Sequence, residues 1–282
     1  MFPKPIEKSS RTWQISYQAL LPFALIVWLL PLLAVANFSI KPEADFVNGN
    51  YWGLPSSFEA FSNYGKVFFE SNMPKYLLNS LFITIPTVIG AVALSCMAGF
   101  ALGIYKFKSN LPIFFIFIAG NFVPFQILMV PVRDMTISMN LYDTKTGLVL
   151  FHIAFQTGFC TLFMRNFIRA LPFPLIEAAR VEGIAEWRIF LYVVLPLMKP
   201  ALAALAVLMF TFIWNDYFWA VVLTQGPSAQ PVTAGITEFN SQFRAAYHLM
   251  SAGSIVAALP PVVMFFLMQK HFIAGLTLGA VK

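Results

Sequence analysis

Six apolar runs, each long enough to cross a bilayer, dominate this 282-residue chain and leave little between them. A spanning helix needs about 20 predominantly apolar residues. The runs cover about 19–39, 76–105, 112–132, 146–164, 201–223 and 249–269. Composition agrees: 11% of residues are charged, against about 25% in a soluble domain. The expected fold is an all-α membrane protein with six transmembrane helices. A segment 1–18 precedes a transmembrane domain over 19–282. The 19 Pro and 15 Gly fit that setting, because neighbouring membrane helices satisfy the backbone groups that Pro and Gly set free.

The first run follows Lys4, Lys8 and Arg11, and Ala34-Val-Ala36 resembles a cleavage site. It is longer than the 7–15 residues of a secretory core, so it is expected to be a retained helix. Orientation follows from Lys and Arg. With the N-terminus inside, the inner segments hold Lys4, Lys8, Arg11, Lys106, Lys108, Arg165, Arg169, Arg180, Arg188, Lys199, Lys270 and Lys282. The outer segments hold Lys41, Lys66, Lys75, Arg133, Lys145 and Arg244, half as many. Both termini are therefore expected in the cytoplasm. This topology also accounts for the net charge of +6 without a nucleic-acid partner.

The longest polar stretch, 40–75, is too short to bury a core of its own, which excludes a soluble catalytic domain. Its Tyr51, Trp52 and Phe58 suit a membrane interface or a partner surface. Cys96 and Cys160 lie inside apolar runs and are expected to be buried small hydrophobes. His152, His248 and His271 show no metal-ligand spacing. No catalytic residue and no metal ligand is identified.

The cytoplasmic stretch 172–199 has a pattern of its own. Pro172 and Pro174 bring the chain out of the fourth run, and residues 175–182 are good helix formers. Gly183 suits a left-handed helix stop. A second amphipathic stretch, 184–194, ends at Leu195-Pro196, where proline halts or kinks a helix. The expectation is a stiff elbow, with Ala178 and Ala179 open to close approach by a partner and Glu177 and Arg180 at its rim.

Glu177-Ala178-Ala179, then Gly183 after three intervening residues, then Leu195-Pro196 resemble the EAA loop of ABC-importer permeases. Glu182 stands where that family usually has Asp, and Ala185 where it often has a capping Ser. Loss of such a cap costs about 1 kcal/mol, which Glu186 is expected to offset in part through the helix dipole. Asn79-Ser80-Leu81, Trp214-Asn215-Asp216 and Gly275-Leu-Thr-Leu-Gly279-Ala-Val-Lys282 extend the likeness to carbohydrate-uptake permeases of the maltose-transporter type, specifically to the shorter permease.

The resemblance implies a multi-pass protein of the bacterial inner membrane that forms a heterodimer with a second permease. Two ATP-binding subunits and a periplasmic solute-binding protein would complete the importer. Glu177, Ala178, Ala179, Arg180, Glu182, Gly183, Leu195 and Pro196 would couple to an ATP-binding subunit. ATP and Mg would sit on those subunits, with no cofactor on this chain, which has no phosphate-binding loop motif. The loop 225–250 would reach toward the binding protein. The alternative is a secondary transporter driven by an ion gradient, which leaves the elbow unexplained.

Asp216 is the one acid inside an expected span, and intramembrane charges usually have a function. Either it pairs with a backbone group or neighbouring helix, or it lines the solute pathway with Trp214, Asn215 and Trp219. Asn121, Gln126 and Gln156 are further pathway candidates. Ala91, Ser95, Gly99 and Gly103 form a small-residue stripe for close helix packing, within the chain or against the companion permease. The identity of the sugar is not written in these residues.

Overall fold

The computed structural model describes residues 10–241 and 244–278. In chain order the helices are α1 (Arg11–Ser39), α2 (Glu43–Val47), α3 (Ala60–Phe69), α4 (Met73–Ile104), α5 (Asn110–Ala119), α6 (Met129–Ser138) and α7 (Lys145–Arg169). Then come α8 (Phe173–Val181), α9 (Glu186–Ile189), α10 (Leu195–Leu197), α11 (Lys199–Trp214), α12 (Phe218–Leu223), α13 (Val232–Gly235) and α14 (Tyr247–Leu278). One antiparallel pair of two-residue strands, Asn240–Ser241 with Arg244–Ala245, is the only β-structure among the described residues.

Helices α1, α4, α7 and α14 are long and apolar enough to cross a membrane, and the number is up to six if each of two bent pairs is one span. Two of the expected spans are not single helices. The run 112–132 is no straight rod: Asn110–Phe122 and Phe125–Ser138 meet at 88°. Val123 precedes Pro124 and is extended (φ −74°, ψ 123°), as the proline ring requires of its neighbour. The run 201–223 is also two helices, because α11 stops at Trp214 and α12 starts at Phe218. The Asp216 carboxylate accepts from the N–H groups of Trp219 and Ala220, a local alternative to a continued helix.

The described residues form two compact units: those from Ser10 through Ser71 with those of Glu238–Val256, and Asn72–Thr237 with those of Ala257–Leu278. In the first unit the Lys41 amine is fully buried and donates to Asn50 O (2.7 Å) and Tyr51 O (3.0 Å). Asn63 Nδ2 ties α3 to Ser39 O and Lys41 O. The stretch 40–75 does not build this unit alone. Its buried Phe46 ring packs on Tyr247 and His248, at 5.8 and 6.1 Å between centroids. Trp52 and Phe58 remain exposed.

In the second unit α4 packs along α7 through the small-residue stripe. A Cβ on Gly99 would lie 3.0 Å from Arg165 N and from Met164 Cβ, and one on Gly103 would lie 3.3 Å from Ile168 Cγ2. Ser95 Oγ donates to Thr157 O (3.3 Å). These residues thus bring two backbones of the same chain together, not a companion subunit. Around the seam lies a core of Phe100, Ile104, Met164, Ile168, Leu205 and Met209, which also buries Cys96 and Cys160.

Candidate functional site

The elbow is built as its residue types demand. Helix α8 carries Pro in its first turn, where a missing N–H costs nothing. It ends at Gly183 with φ +73°. Gly183 N–H donates to Arg180 O (2.9 Å) and Ile184 N–H to Ala179 O (3.1 Å), the paired bonds of a Schellman stop. Ala185 then opens α9 without a side-chain cap.

Glu186 does more than face a helix dipole. Its carboxylate binds Arg180 through Nε (2.6 Å) and Nη2 (3.2 Å), and accepts the Tyr105 hydroxyl (2.7 Å). The Arg180 hydrogen bonds hold the Glu186 carboxyl below the usual carboxylate range, against an opposing effect of burial. The same bond pushes the Arg180 guanidinium up.

Past α9 the chain widens into a π-turn over Phe190–Val194, where Leu195 N–H donates to Phe190 O. A bend of 76° follows between Glu186–Leu197 and Lys199–Trp214. Proline and a widened turn are two recognised causes of a sharp bend. Leu195 packs against the core while Pro196 is exposed.

The two sides of the elbow differ. Ile176, Ala179, Ile189 and Val194 are buried in the same core as Phe100, Ile104 and Met164. Ala179 is therefore not open to a partner, contrary to expectation, because its face of α8 turns inward. Glu177, Ala178, Glu182 and Gly183 are exposed, and Arg180 is half-buried under Glu186. Val181 (88% exposed) and Trp187 (56%) extend the outer face. The sequence reading missed both, since an apolar residue in an amphipathic stretch is ordinarily assigned inward.

A cavity of about 430 Å³ gathers most of the pathway candidates. Asn121 at the broken third span, Gln156 on α7, and Asn215, Asp216 and Trp219 at the α11–α12 break all line it. Phe125, Phe155, Phe159 and Tyr217 add aromatic walls. Two candidates lie elsewhere. Trp214 is buried, stacked on Phe210, and donates Nε1–H to Ala257 O (3.0 Å). Gln126 is exposed in the 3-10 turn after Pro124, outside the cavity lining.

The cavity also contains a residue not foreseen. Buried His152 places Nε2 3.5 Å from Asp216 Oδ2, and its Nδ1 has no hydrogen-bond partner. Asp216 thus makes the backbone and inter-helix contacts set out as one of its two readings, and lines a cavity as well. Periodicity within α7 cannot reveal such a pair, because it depends on how α7 meets the α11–α12 break. Among the described residues no three His, Cys, Asp or Glu side chains cluster as metal ligands.

The start of the loop 225–250 is fastened down. Asn79 Nδ2 donates to Pro227 O and Gln230 O, Ser80 Oγ accepts from Val232 N, and Asp143 Oδ1 accepts from Gln225 N and Gly226 N. Residues 225–232 are therefore not free to reach away from this unit. At the C-terminal tail, Gly279–Lys282 lie outside the described residues.

Comparison with known proteins adds a family and relatives. The family described as binding-protein-dependent transport system inner membrane component matches residues 14–277. The osmoprotective compounds uptake permease protein GgtD of Synechocystis sp. is 31% identical, covering 99% of each chain. The arabinooligosaccharides transport system permease protein AraQ of Halalkalibacterium halodurans is 31% identical over 95% of this chain and 97% of its own. The fold matches, with TM-score 0.80 and 23% identity, a chain of a bacterial ABC transporter involved in the import of the acidic polysaccharide alginate. That match covers 96% of this chain and 100% of the other.

Proposed function

This chain belongs to the family of binding-protein-dependent transport system inner membrane components, and we propose that it forms, with a second permease, the membrane path of an ATP-driven sugar importer. It sits in the bacterial inner membrane with both termini in the cytoplasm. Two separate subunits bind ATP and Mg and hydrolyse the nucleotide, and a soluble binding protein delivers the solute. Relatives named for arabinooligosaccharides and for melibiose, raffinose and stachyose support a sugar or sugar derivative as cargo.

One observation carries the reading: the elbow shares its core with α4, α7 and α11 while presenting Glu177, Ala178, Val181, Glu182 and Trp187 outward. A stiff knob joined to spanning helices is what a mechanical input needs. Packed cores deform little and switch between discrete arrangements. A push on the outer face therefore moves the helices and does not merely dent the loop.

The cavity at His152, Gln156, Asn215, Asp216 and Trp219 is the candidate pathway wall. Aromatic faces meet the apolar faces of sugar rings, and amide and carboxylate groups meet their hydroxyls.

The test is a disulfide or bifunctional cross-link from Ala178→Cys to the ATP-binding subunit in the assembled complex, with uptake measured in parallel. Cross-linking that changes with nucleotide, and uptake that stops on ATP depletion, are expected. Uptake that survives ATP depletion and collapses with the ion gradient overturns the assignment.

A further inference from the structure

A second cavity, larger than the one just described, lies elsewhere in this unit. It has about 760 Å³ and lies where α4 ends, α5 begins and α7 runs into α8. Four cations line it, Lys106, Lys108, Arg165 and Arg169, and no Asp or Glu does. Neither ion pair found among the described residues involves any of the four.

Arg165 and the backbone that carries the lysines are held in place. Asn110 Nδ2 donates to Leu102 O (3.0 Å) and Tyr105 O (2.8 Å), which fixes the short connection carrying the two lysines. Arg165 is buried. Its Nε donates to Leu102 O (3.1 Å) and its guanidinium lies 3.9 Å from the Phe114 ring centroid. Like charges drawn together in a half-apolar cleft repel one another, so the arrangement favours an anion among them.

The remaining walls are apolar, with Leu111, Ile168, Leu171 and Phe173 among them. A free inorganic anion gains nothing from such walls, whereas an acyl chain does. Basic pockets at helix ends on the cytoplasmic side are where acidic head groups bind. The geometry points to a site for an anionic phospholipid of the inner leaflet. The phosphate sits among Lys106, Lys108 and Arg169, with Arg165 behind it, and a chain lies along Leu111 and Ile168. Phe173 lines the cavity and is the first residue of α8, and Tyr105 lines it while bonding Glu186. The lipid therefore rests against the elbow.

The experiment is native mass spectrometry of the full-length chain with its partner subunits in detergent micelles. It is titrated with phosphatidylglycerol, phosphatidylcholine of the same acyl chains, and inorganic phosphate. Phosphatidylglycerol should be retained in preference to phosphatidylcholine. The triple variant K106Q/K108Q/R169Q should lose that preference by about a hundredfold, and Arg169→Gln alone by about fivefold. Equal retention of the two lipids, or a preference unchanged in both variants, overturns the site. Displacement of the lipid by millimolar inorganic phosphate overturns the lipid assignment in favour of a free anion.

Discussion

Arg180 and Glu186 clasp each other across the Gly183 turn, Nε to Oε1 at 2.6 Å, and so fix the angle between α8 and α9. Both side chains are partly exposed, so the pair is worth more as geometry than as stability. The turn itself depends on Gly183, whose backbone conformation suits few other residues.

Replacing Gly183 with Val places a β-branched residue at φ +73°, a conformation that costs such a residue about 1–3 kcal/mol. A Cβ there meets nothing within 4 Å, so the effect comes from the backbone alone. Membrane insertion should be normal while uptake falls relative to ATP hydrolysis. Reconstituted vesicles assayed for both rates check this, and an unchanged ratio removes the hinge role.

The clasp should fail in acid. Glu186 has its pKa lowered by Arg180. Its contribution is therefore complete above the carboxyl's unfolded pKa and is lost as pH falls through the lower folded value. The protection of amides 180–190, taken relative to their intrinsic exchange rate at each pH, should hold at neutral pH and fall only at acid pH. In Glu186→Gln the protection should already be lower at neutral pH, with the acid step gone.

Asp216 accepts from Trp219 N and Ala220 N, and its Oδ2 lies 3.5 Å from His152 Nε2. Asp216→Ala removes a helix cap worth about 0.5–2 kcal/mol and leaves a buried imidazole without its carboxylate. Thermal stability in detergent and uptake should both drop. Asp216→Asn, which keeps an acceptor, should fall between. Wild-type melting of Asp216→Ala would contradict the capping geometry.

Trp219 and Trp214 should separate by phenotype. Trp219 lines the cavity, so Trp219→Ala should raise the solute concentration needed for half-maximal uptake. Trp214 is sealed against Phe210 and Ala257 O. Trp214→Phe should lose about 1 kcal/mol with its hydrogen bond and leave that concentration unchanged.

Gly99→Leu drives a side chain into Arg165 N and Met164 Cβ. Overpacking of this kind costs about 1–3 kcal/mol, and the melting temperature in detergent should fall. Gly103→Ala has only Ile168 Cγ2, at 3.3 Å, to displace, and should be milder.

What could be read from the sequence depended on how local its cause was. Helices α4 and α7 were legible because their apolar runs continue without a competing bond. The elbow was legible because Gly183 and Pro196 act on their own neighbours. The break at Pro124 was signalled locally, but the unbroken apolar run outweighed one proline in the reading. The break at Asp216 needed the carboxylate's choice of backbone N–H groups. The inward turn of Ala179, the exposure of Val181 and Trp187, and the meeting of His152 with Asp216 all depend on how helices are rotated against one another. No stretch of sequence states that rotation.

Ile176, Ala179, Ile189 and Val194 are embedded among residues of α4 and α7, so the segment 172–199 is no interchangeable module. A chimera carrying another permease's elbow inherits a mismatched underside even when its outer surface is kept the same. Drift at either Phe100 or Phe190, whose rings lie 5.1 Å apart, constrains the other, so the elbow and the helices beneath it must diversify as one block.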